Sequence, residues 1–394
     1  MKRFLQIVAW TLGRVVKFPG NVLSFVVRLF TSVHKGRIVC WAHNFKQYGC
    51  NPRYLTEHLI AAGHEDVWWV FRRGVNTSEV DSRVKVVRFR SWRYFLLMAT
   101  AEVFITNART DPYHIYWHKR PGQRYAMLWH AGVALKRIEG DALAGLGYSY
   151  LRKARRDSQI CDLMISGSRM HSDIVRRAFW YDGAIMECGL PRNDIFFDVS
   201  RHADMRKEVC CHYGIAQDSR IVLYAPTFRH GTSIEPYRLD WSRVRSHLQR
   251  MYGTETVTVL VRLHPNLIGR VDTSPLVAYE GVVDATLYHD MQLLLCASDM
   301  VITDYSSAMF DFSMLRRPCM LYATDADSYD RGFYFDIHNL PYPLATSEEA
   351  LLDTIANFDM EAYLCDLDRF FTDEVGLCET GKACETLGRW IIDK

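Results

Sequence analysis

The chain has 394 residues, of which 49% are hydrophobic and 24% charged, with a net charge of +3. That length favours two domains over one, and the balance of apolar and charged residues excludes a disordered polymer and gives no reason to expect a nucleic-acid partner. Eleven cysteines form no CxxC pair and mostly sit in or beside apolar runs, a pattern expected of free thiols in a reducing, cytoplasmic setting.

The first acidic residue is Glu57, so nine basic residues precede any carboxylate. At about 100° per residue, Lys2, Arg3, Gln6, Trp10, Arg14 and Lys17 share an arc of about 120°, while Phe4, Leu5, Ile7, Val8, Leu12, Val15, Val16 and Phe18 fill the rest. After Pro19-Gly20 a second apolar stretch runs from Val22 to Phe30 and carries Arg28. Neither run is long enough to span a bilayer, and no small-residue cleavage site follows the first. Residues 1–33 are expected to form an amphipathic segment that associates with an anionic membrane surface on its cytoplasmic face. The alternative is a terminal helix packed on the protein's own core.

From Gly36 strand and helix patterns alternate. The spacing predicts strands over 37–42, 67–71, 84–89, 102–106, 124–129 and 162–166, with helices over 52–62, 92–101 and 172–179. A charged stretch over 200–208 reads as an interdomain link. Beyond it strands are expected over 220–225, 257–263, 282–284, 300–302 and 319–322, with helices over 241–251, 290–297 and 307–315. Such alternation argues two doubly wound parallel sheets, whose ligands bind beyond the carboxyl ends of the strands. The expected division is 1–33, 34–199 and 200–394. No Walker loop or GxGxxG signature occurs, and no cofactor or metal is expected. His114 and His118 are four apart, but Pro112 and the intervening aromatics argue against two zinc ligands on one helix face.

The most informative stretch runs Ile302-Thr303-Asp304-Tyr305-Ser306-Ser307-Ala308, where an apolar strand ends in an acid and two hydroxyls that open a helix. Orphan N–H groups and the positive end of a helix dipole suit an anionic phosphate there, although capping serines alone are common. The chain also carries Leu128-Trp129-His130-Ala131-Gly132, Tyr224-Ala225-Pro226-Thr227-Phe228-Arg229, Arg262-Leu263-His264-Pro265-Asn266, Gly189-Leu190-Pro191-Arg192-Asn193-Asp194 and Arg331-Gly332-Phe333-Tyr334. Together and in this order, from about Cys40 to about Glu349, they resemble the CDP-glycerol glycerophosphotransferase family of teichoic-acid synthesis.

The resemblance implies a GT-B architecture, two Rossmann-like domains facing a cleft, with the N-terminal one for the acceptor and the C-terminal one for the CDP donor. It implies transfer of a polyol phosphate from CDP-glycerol or another CDP-polyol to a polyprenyl-diphosphate-linked glycan, with release of CMP. His130, just past a strand end and followed by small residues, is the expected general base, since imidazole titrates near working pH. His264 and Arg262, on one face if strand alternation continues, are expected to hydrogen-bond the diphosphate, with Thr227, Ser306 and Ser307 as further contacts. Arg229 is either another phosphate contact or half of a salt bridge across the cleft. Asp304 binds a cation, orients His264 or takes hydroxyls of ribose or polyol, and the orienting role is preferred. Arg192 and Asn193 either line the cleft or fix the link. Departures at Gly132-Val133-Ala134 and at Ile337-His338-Asn339-Leu340-Pro341 leave the polyol open. A GT-B glycosyltransferase using a nucleotide sugar and a non-catalytic membrane scaffold are the competing readings.

Overall fold

The computed structural model describes residues 2–229, 234–326 and 332–393. One sheet contains β1 (His34–Trp41), β2 (Val67–Phe71), β3 (Lys85–Arg88), β4 (Ala101–Thr106), β5 (Arg124–Met127), β6 (Leu163–Ser166) and β7 (Ala184–Glu187). Its order is β3-β2-β1-β4-β5-β6-β7, and every pairing is parallel. The second contains β8 (Arg220–Tyr224), β9 (Val257–Val261), β10 (Val282–Asp284), β11 (Met300–Thr303), β12 (Cys319–Tyr322) and β13 (Leu344–Ala345), ordered β10-β9-β8-β11-β12-β13 and again parallel. Both sheets are doubly wound, with topological switch points between β1 and β4 and between β8 and β11.

The helices are α1 (Lys2–Leu29), α2 (Cys50–Ala61), α3 (Trp92–Thr100), α4 (Tyr148–Ile160), α5 (Arg169–Ala178), α6 (His202–Tyr213), α7 (Trp241–Tyr252), α8 (Met291–Ala297), α9 (Ala308–Ser313), α10 (Glu348–Ala356), α11 (Met360–Arg369) and α12 (Ala383–Ile392). Strand residues such as Val39, Trp69, Ile105, Val222, Leu260 and Ile302 are fully buried, as expected of sheets covered on both faces. Each sheet has its own core. Ile38, Leu55, Leu59, Trp69, Ile165 and Leu387 belong to one, and Tyr224, Trp241, Leu248, Val259, Ile302 and Leu351 to the other. All eleven cysteines are free.

The chain divides into two compact units, and the boundaries differ from the expected ones. Residues 1–132, 138–194 and 377–394 form the first unit, and residues 133–137 and 195–376 the second. The stretch over 200–208 is largely α6, not a link. The last segment returns to the first unit because polar groups there hold it. Asp194 accepts from the first-turn N–H groups of α12, at Ala383 (3.0 Å) and Cys384 (2.8 Å), and Arg124 donates to the final-turn carbonyls of Trp390 (2.6 Å) and Ile391 (2.8 Å). Glu379 takes the Leu190 N–H (3.0 Å) and the Asn193 amide (2.9 Å). It sits in a glycine notch so tight that a Cβ on Gly167 would come within 2.8 Å of the Gly132 backbone. Segment 133–137 joins the second unit by bridging to Gly332-Phe333-Tyr334, with Tyr334 N–H donating to Leu135 (2.8 Å) and Arg137 N–H to Gly332 (2.8 Å). Arg331 of that motif lies outside the described residues.

Pro19 does not divide the N-terminal segment, which is one helix about 42 Å long. Its polar arc faces the first unit. Asn21 donates to the Tyr113 carbonyl (3.1 Å) and bonds His118 (2.9 Å), Ser24 donates to the Tyr116 carbonyl (2.6 Å), and Arg14 stacks 3.8 Å from the Tyr113 ring centre. Arg14 therefore does not point outward as an interfacial basic stripe would require. The side chains of Lys2, Arg3, Phe4, Leu5 and Ile7 lie outside what is described. Leu12, Val15, Val16, Val22, Val26 and Leu29 form an exposed stripe along the opposite side, with Val16 79% exposed. No described helix is long and apolar enough to cross a membrane.

The loop after β4 is anchored by a buried charge cluster. Arg109, 2% exposed on its side chain, pairs with Glu139 (3.1 Å) and Asp157 (3.1 Å) and donates to Ser158 (2.8 Å) and the Phe179 carbonyl (3.1 Å). Removing the guanidinium strands two buried carboxylates, so Arg109→Met is expected to cost about 3–5 kcal/mol. A clear fall in the thermal unfolding midpoint checks this, and an unchanged midpoint refutes it.

Candidate active site

In the first unit the polar residues gather where β1, β4 and β5 end. Thr106-Asn107 leaves β4, and Asn107, fully buried, accepts the His43 backbone N–H at Oδ1 (3.0 Å) and donates from Nδ2 to His43 Nε2 (3.1 Å). His43, Asn44 and Phe45 all adopt left-handed φ values (45°, 57° and 68°), an arrangement that costs strain for residues with side chains. Asn51 at the start of α2 donates to the carbonyls of Leu128 (2.9 Å) and Trp129 (3.0 Å). That bond fixes Trp129 at φ 45° and sets the direction of the next residue, His130.

His130 is exposed, and its Nδ1 lies 3.2 Å from the Asn107 carbonyl. A carbonyl only accepts, so Nδ1 carries the proton and Nε2 keeps its lone pair. Desolvation by the surrounding protein lowers the imidazole below its ordinary value, and the nearby His43 and Arg192 act in the same direction. The neutral, basic form is the one held at neutral pH.

Arg192 reaches this site and Asn193 does not. The Arg192 backbone N–H donates to Asn51 Oδ1 (3.2 Å) and its guanidinium to Cys50 Sγ (3.5 Å). Asn193 is completely buried and its amide holds Glu379, so it fixes the C-terminal segment and has no surface for a substrate.

In the second unit Thr227, Arg229, His264, Asp304 and Asp325 follow the ends of β8, β9, β11 and β12. Asp304, 2% exposed, accepts the N–H groups of Thr227 (2.8 Å) and Tyr305 (2.6 Å) and pairs with Arg229 (2.8 Å). Arg229 also grips Asp325 through Nε (2.8 Å) and Nη2 (3.1 Å) and donates to Thr227 Oγ1 (2.7 Å). Burial works against this cation, but the two carboxylates prevail and hold its pKa above the ordinary value. Arg229 is thus ion-paired with carboxylates of its own unit, and Asp304 braces the Thr227 turn instead of orienting His264.

His264 is exposed, and its Nδ1 accepts the Asn266 backbone N–H (3.1 Å). Its neutral form therefore carries the proton on Nε2, the reverse of His130. Partial desolvation of the ring by the surrounding protein and the neighbouring Lys136 ammonium lower its pKa. Arg262 does not share its face. β9 ends at Val261, so strand alternation stops, and the Arg262 guanidinium donates to the carbonyls of Ala285 (3.2 Å) and Tyr288 (2.8 Å). Ser306 and Ser307 are half-buried, and Ser306 Oγ accepts the Ala308 N–H (3.3 Å). The helix they open is six residues long, shorter than its apolar spacing predicts.

Sequence reasoning missed Asn51, His43, Asn107, Cys50 and Asp325. The available signal was a polar side chain just past an apolar strand, which His43, Asn107 and Asp325 all carry.

A model of the CDP-glycerol:poly(glycerophosphate) glycerophosphotransferase family matches residues 23–393. The chain belongs to that family. It is 30% identical to a teichoic acid poly(glycerol phosphate) polymerase of Staphylococcus epidermidis over 87% of its own length and 48% of the relative's. It spans about half the length of that curated relative. It is also 31% identical to a teichoic acid glycerol-phosphate transferase of Staphylococcus aureus, covering 80% of this chain and 82% of that one. Among solved structures it is similar to the wall teichoic acid polymerase TagF, with a TM-score of 0.81 at 28% identity, covering 99% of this chain and 96% of that chain. A TagF variant has been solved after soaking with CDP-glycerol.

The setting of Cys50 in this site makes a measurable prediction. Burial raises its thiol, but Arg192, His43 and Asn107 outweigh that and lower it to about 7. Iodoacetamide is expected to label Cys50 half-maximally near that pH, and Arg192→Ala to move the midpoint upward. Labelling that rises only in the ordinary thiol range, in both proteins, defeats the assignment.

Proposed function

We propose that this chain transfers a polyol phosphate, glycerol phosphate first among candidates, from a CDP-activated donor to a hydroxyl of a polyprenyl-diphosphate-linked glycan. The observation that carries the reading, within this family, is the opposed poise of two neutral imidazoles. His130 Nε2 takes the proton of the acceptor hydroxyl as its oxygen bonds to the distal phosphorus of the donor. The bond from that phosphorus to the bridging oxygen breaks, and CMP leaves with the electron pair. His264 Nε2–H donates to the charge that develops on the leaving phosphate, with Ser306 and Ser307 as further donors. Thr227 is held for the same task by Asp304 and Arg229. Arg192 supplies positive charge beside His130. The first unit serves the acceptor and the second the CDP donor.

Incubation of the full chain with CDP-glycerol and a lipid-linked disaccharide acceptor is expected to release CMP. His130→Ala is expected to lower turnover by about 10²–10⁴-fold, and His264→Ala by about 10²–10³-fold. Because the base is held below the ordinary histidine value, activity persists as pH falls toward about 6.5 and is lost only below it. Turnover of a UDP-sugar without CMP release defeats this reading in favour of a glycosyltransferase. Retention of cellular function by both alanine variants favours the scaffold.

We further propose that α1 seats the enzyme on the cytoplasmic face of the membrane. Its polar side is engaged with protein, so the exposed apolar stripe is left to face acyl chains. Leu12→Glu with Val16→Glu is expected to weaken binding to phosphatidylglycerol-containing vesicles by at least about tenfold. Equal co-sedimentation of variant and parent refutes this orientation.

A further inference from the structure

A cavity of about 680 Å³ opens at the carboxyl ends of β1 to β4, lined in part by Lys17, Arg72, Arg73, Arg90 and Lys153. Among the described residues these five cations form no ion pair. The cavity's acid, Asp111, is already paired with His114 (2.7 Å), and its buried Arg109 with Glu139 and Asp157. The net field is strongly positive. Arg72 is oriented by its Nε donating to the Asn44 carbonyl (3.0 Å), and the Arg90 guanidinium carbon sits over the rings of Phe89 (5.0 Å to the centre) and Tyr116 (5.3 Å). Asn44 and Arg90 hold left-handed φ values of 57° and 64°. These are guanidiniums set in place by the backbone, a geometry that suits phosphate oxygens.

A second cavity of about 370 Å³, lined by Arg14, Arg152, Arg155 and Arg156 among others, shares Asp111 and Lys153 with the first and runs beneath Trp10 of α1. The outer side of α1 is the exposed apolar stripe. The cavity also uses the loops that build the His130 site, since Asn44 follows His43 and Arg109 lies two residues past Asn107. Its neighbours are thus a helix with an exposed apolar stripe on one side and the His130 site on the other.

We propose that this basic cavity binds the diphosphate of the lipid-linked acceptor, an inference that rests on the transferase reading above. The isoprenoid leaves toward α1, and the glycan extends toward His130. The volume accommodates a diphosphate with part of its first sugar and exceeds what a single phosphate fills.

The test uses the full chain in detergent micelles, with farnesyl diphosphate, inorganic pyrophosphate and farnesol as probes. Arg73→Ala with Arg90→Ala, and separately Lys153→Ala, are expected to weaken farnesyl diphosphate binding by about tenfold or more. CDP-glycerol binding is expected to stay within about twofold, with only a small fall in the thermal midpoint, since these side chains carry no structural ion pair and lose only their contacts with aromatic rings. Pyrophosphate is expected to bind more weakly than farnesyl diphosphate and to be lost in the same variants, and farnesol not to respond to them. Unaltered farnesyl diphosphate binding overturns the proposal. So does parallel loss of CDP-glycerol binding, which assigns the cavity to the donor, and so does pyrophosphate binding as tight as the isoprenoid's, which assigns it to a free anion. If the parent neither binds CDP-glycerol nor releases CMP, it is the transferase reading that fails, whatever the cavity binds.

Discussion

A parallel sheet delivers every strand to the same edge, and no hairpin turns the chain back there. Whatever residue follows a strand is brought beside the residues that follow its neighbours. His43, Asn107 and His130 are far apart in sequence yet follow β1, β4 and β5, which lie side by side. Thr227, His264, Asp304 and Asp325 follow β8, β9, β11 and β12 in the same way. The apolar strands are rigid because both faces are covered, so the polar ends inherit fixed positions. The strain at Trp129 and at His43-Asn44-Phe45 is borne by this frame, with Asn51 and Asn107 as the hydrogen-bonding groups that hold it.

The strand edges were therefore legible from the sequence, because apolar runs mark the strands and polar residues mark their ends. The pairing of charges was not. Arg229 stands at a strand end and reads as a phosphate ligand first, with a salt bridge across the cleft as the alternative. The choice is made by Asp325, a residue 96 positions downstream whose approach depends on β12 lying next to β11. Arg262 departs from the expected face for a different reason, since strand alternation does not continue past Val261, the last paired residue of β9. Asn193 looked like part of a binding motif because Pro-Arg-Asn-Asp lies in a loop, but its partner Glu379 comes from a segment whose return to the first unit has no local signature.

Periodicity likewise revealed that the N-terminal helix has two unlike faces without revealing which faces inward. An amphipathic helix ordinarily buries its apolar side. Here the surface it meets presents the carbonyls of Tyr113 and Tyr116 and the face of the Tyr113 ring, and these are complementary to Asn21, Ser24 and Arg14. Docking through the polar face satisfies groups that would be costly to bury unpaired, and it leaves the apolar face outward. Pro19 is tolerated because it lies on the exposed side, where the unpaired carbonyl it creates is not enclosed by protein.

The two imidazoles show how a backbone contact assigns chemistry to a side chain. Both are held at Nδ1, His130 by a carbonyl and His264 by an amide N–H. Identical rings therefore present opposite functions at Nε2, an acceptor in one case and a donor in the other. The distinction exists only while both rings are neutral, because an imidazolium donates from both nitrogens. Both pKa values are lowered, His130 chiefly by desolvation with help from His43 and Arg192, His264 by desolvation and Lys136. The surrounding cations thus act on the protonation of the rings themselves. By disfavouring protonation they preserve the difference between the two rings on which a proton-accepting and a proton-donating role depend.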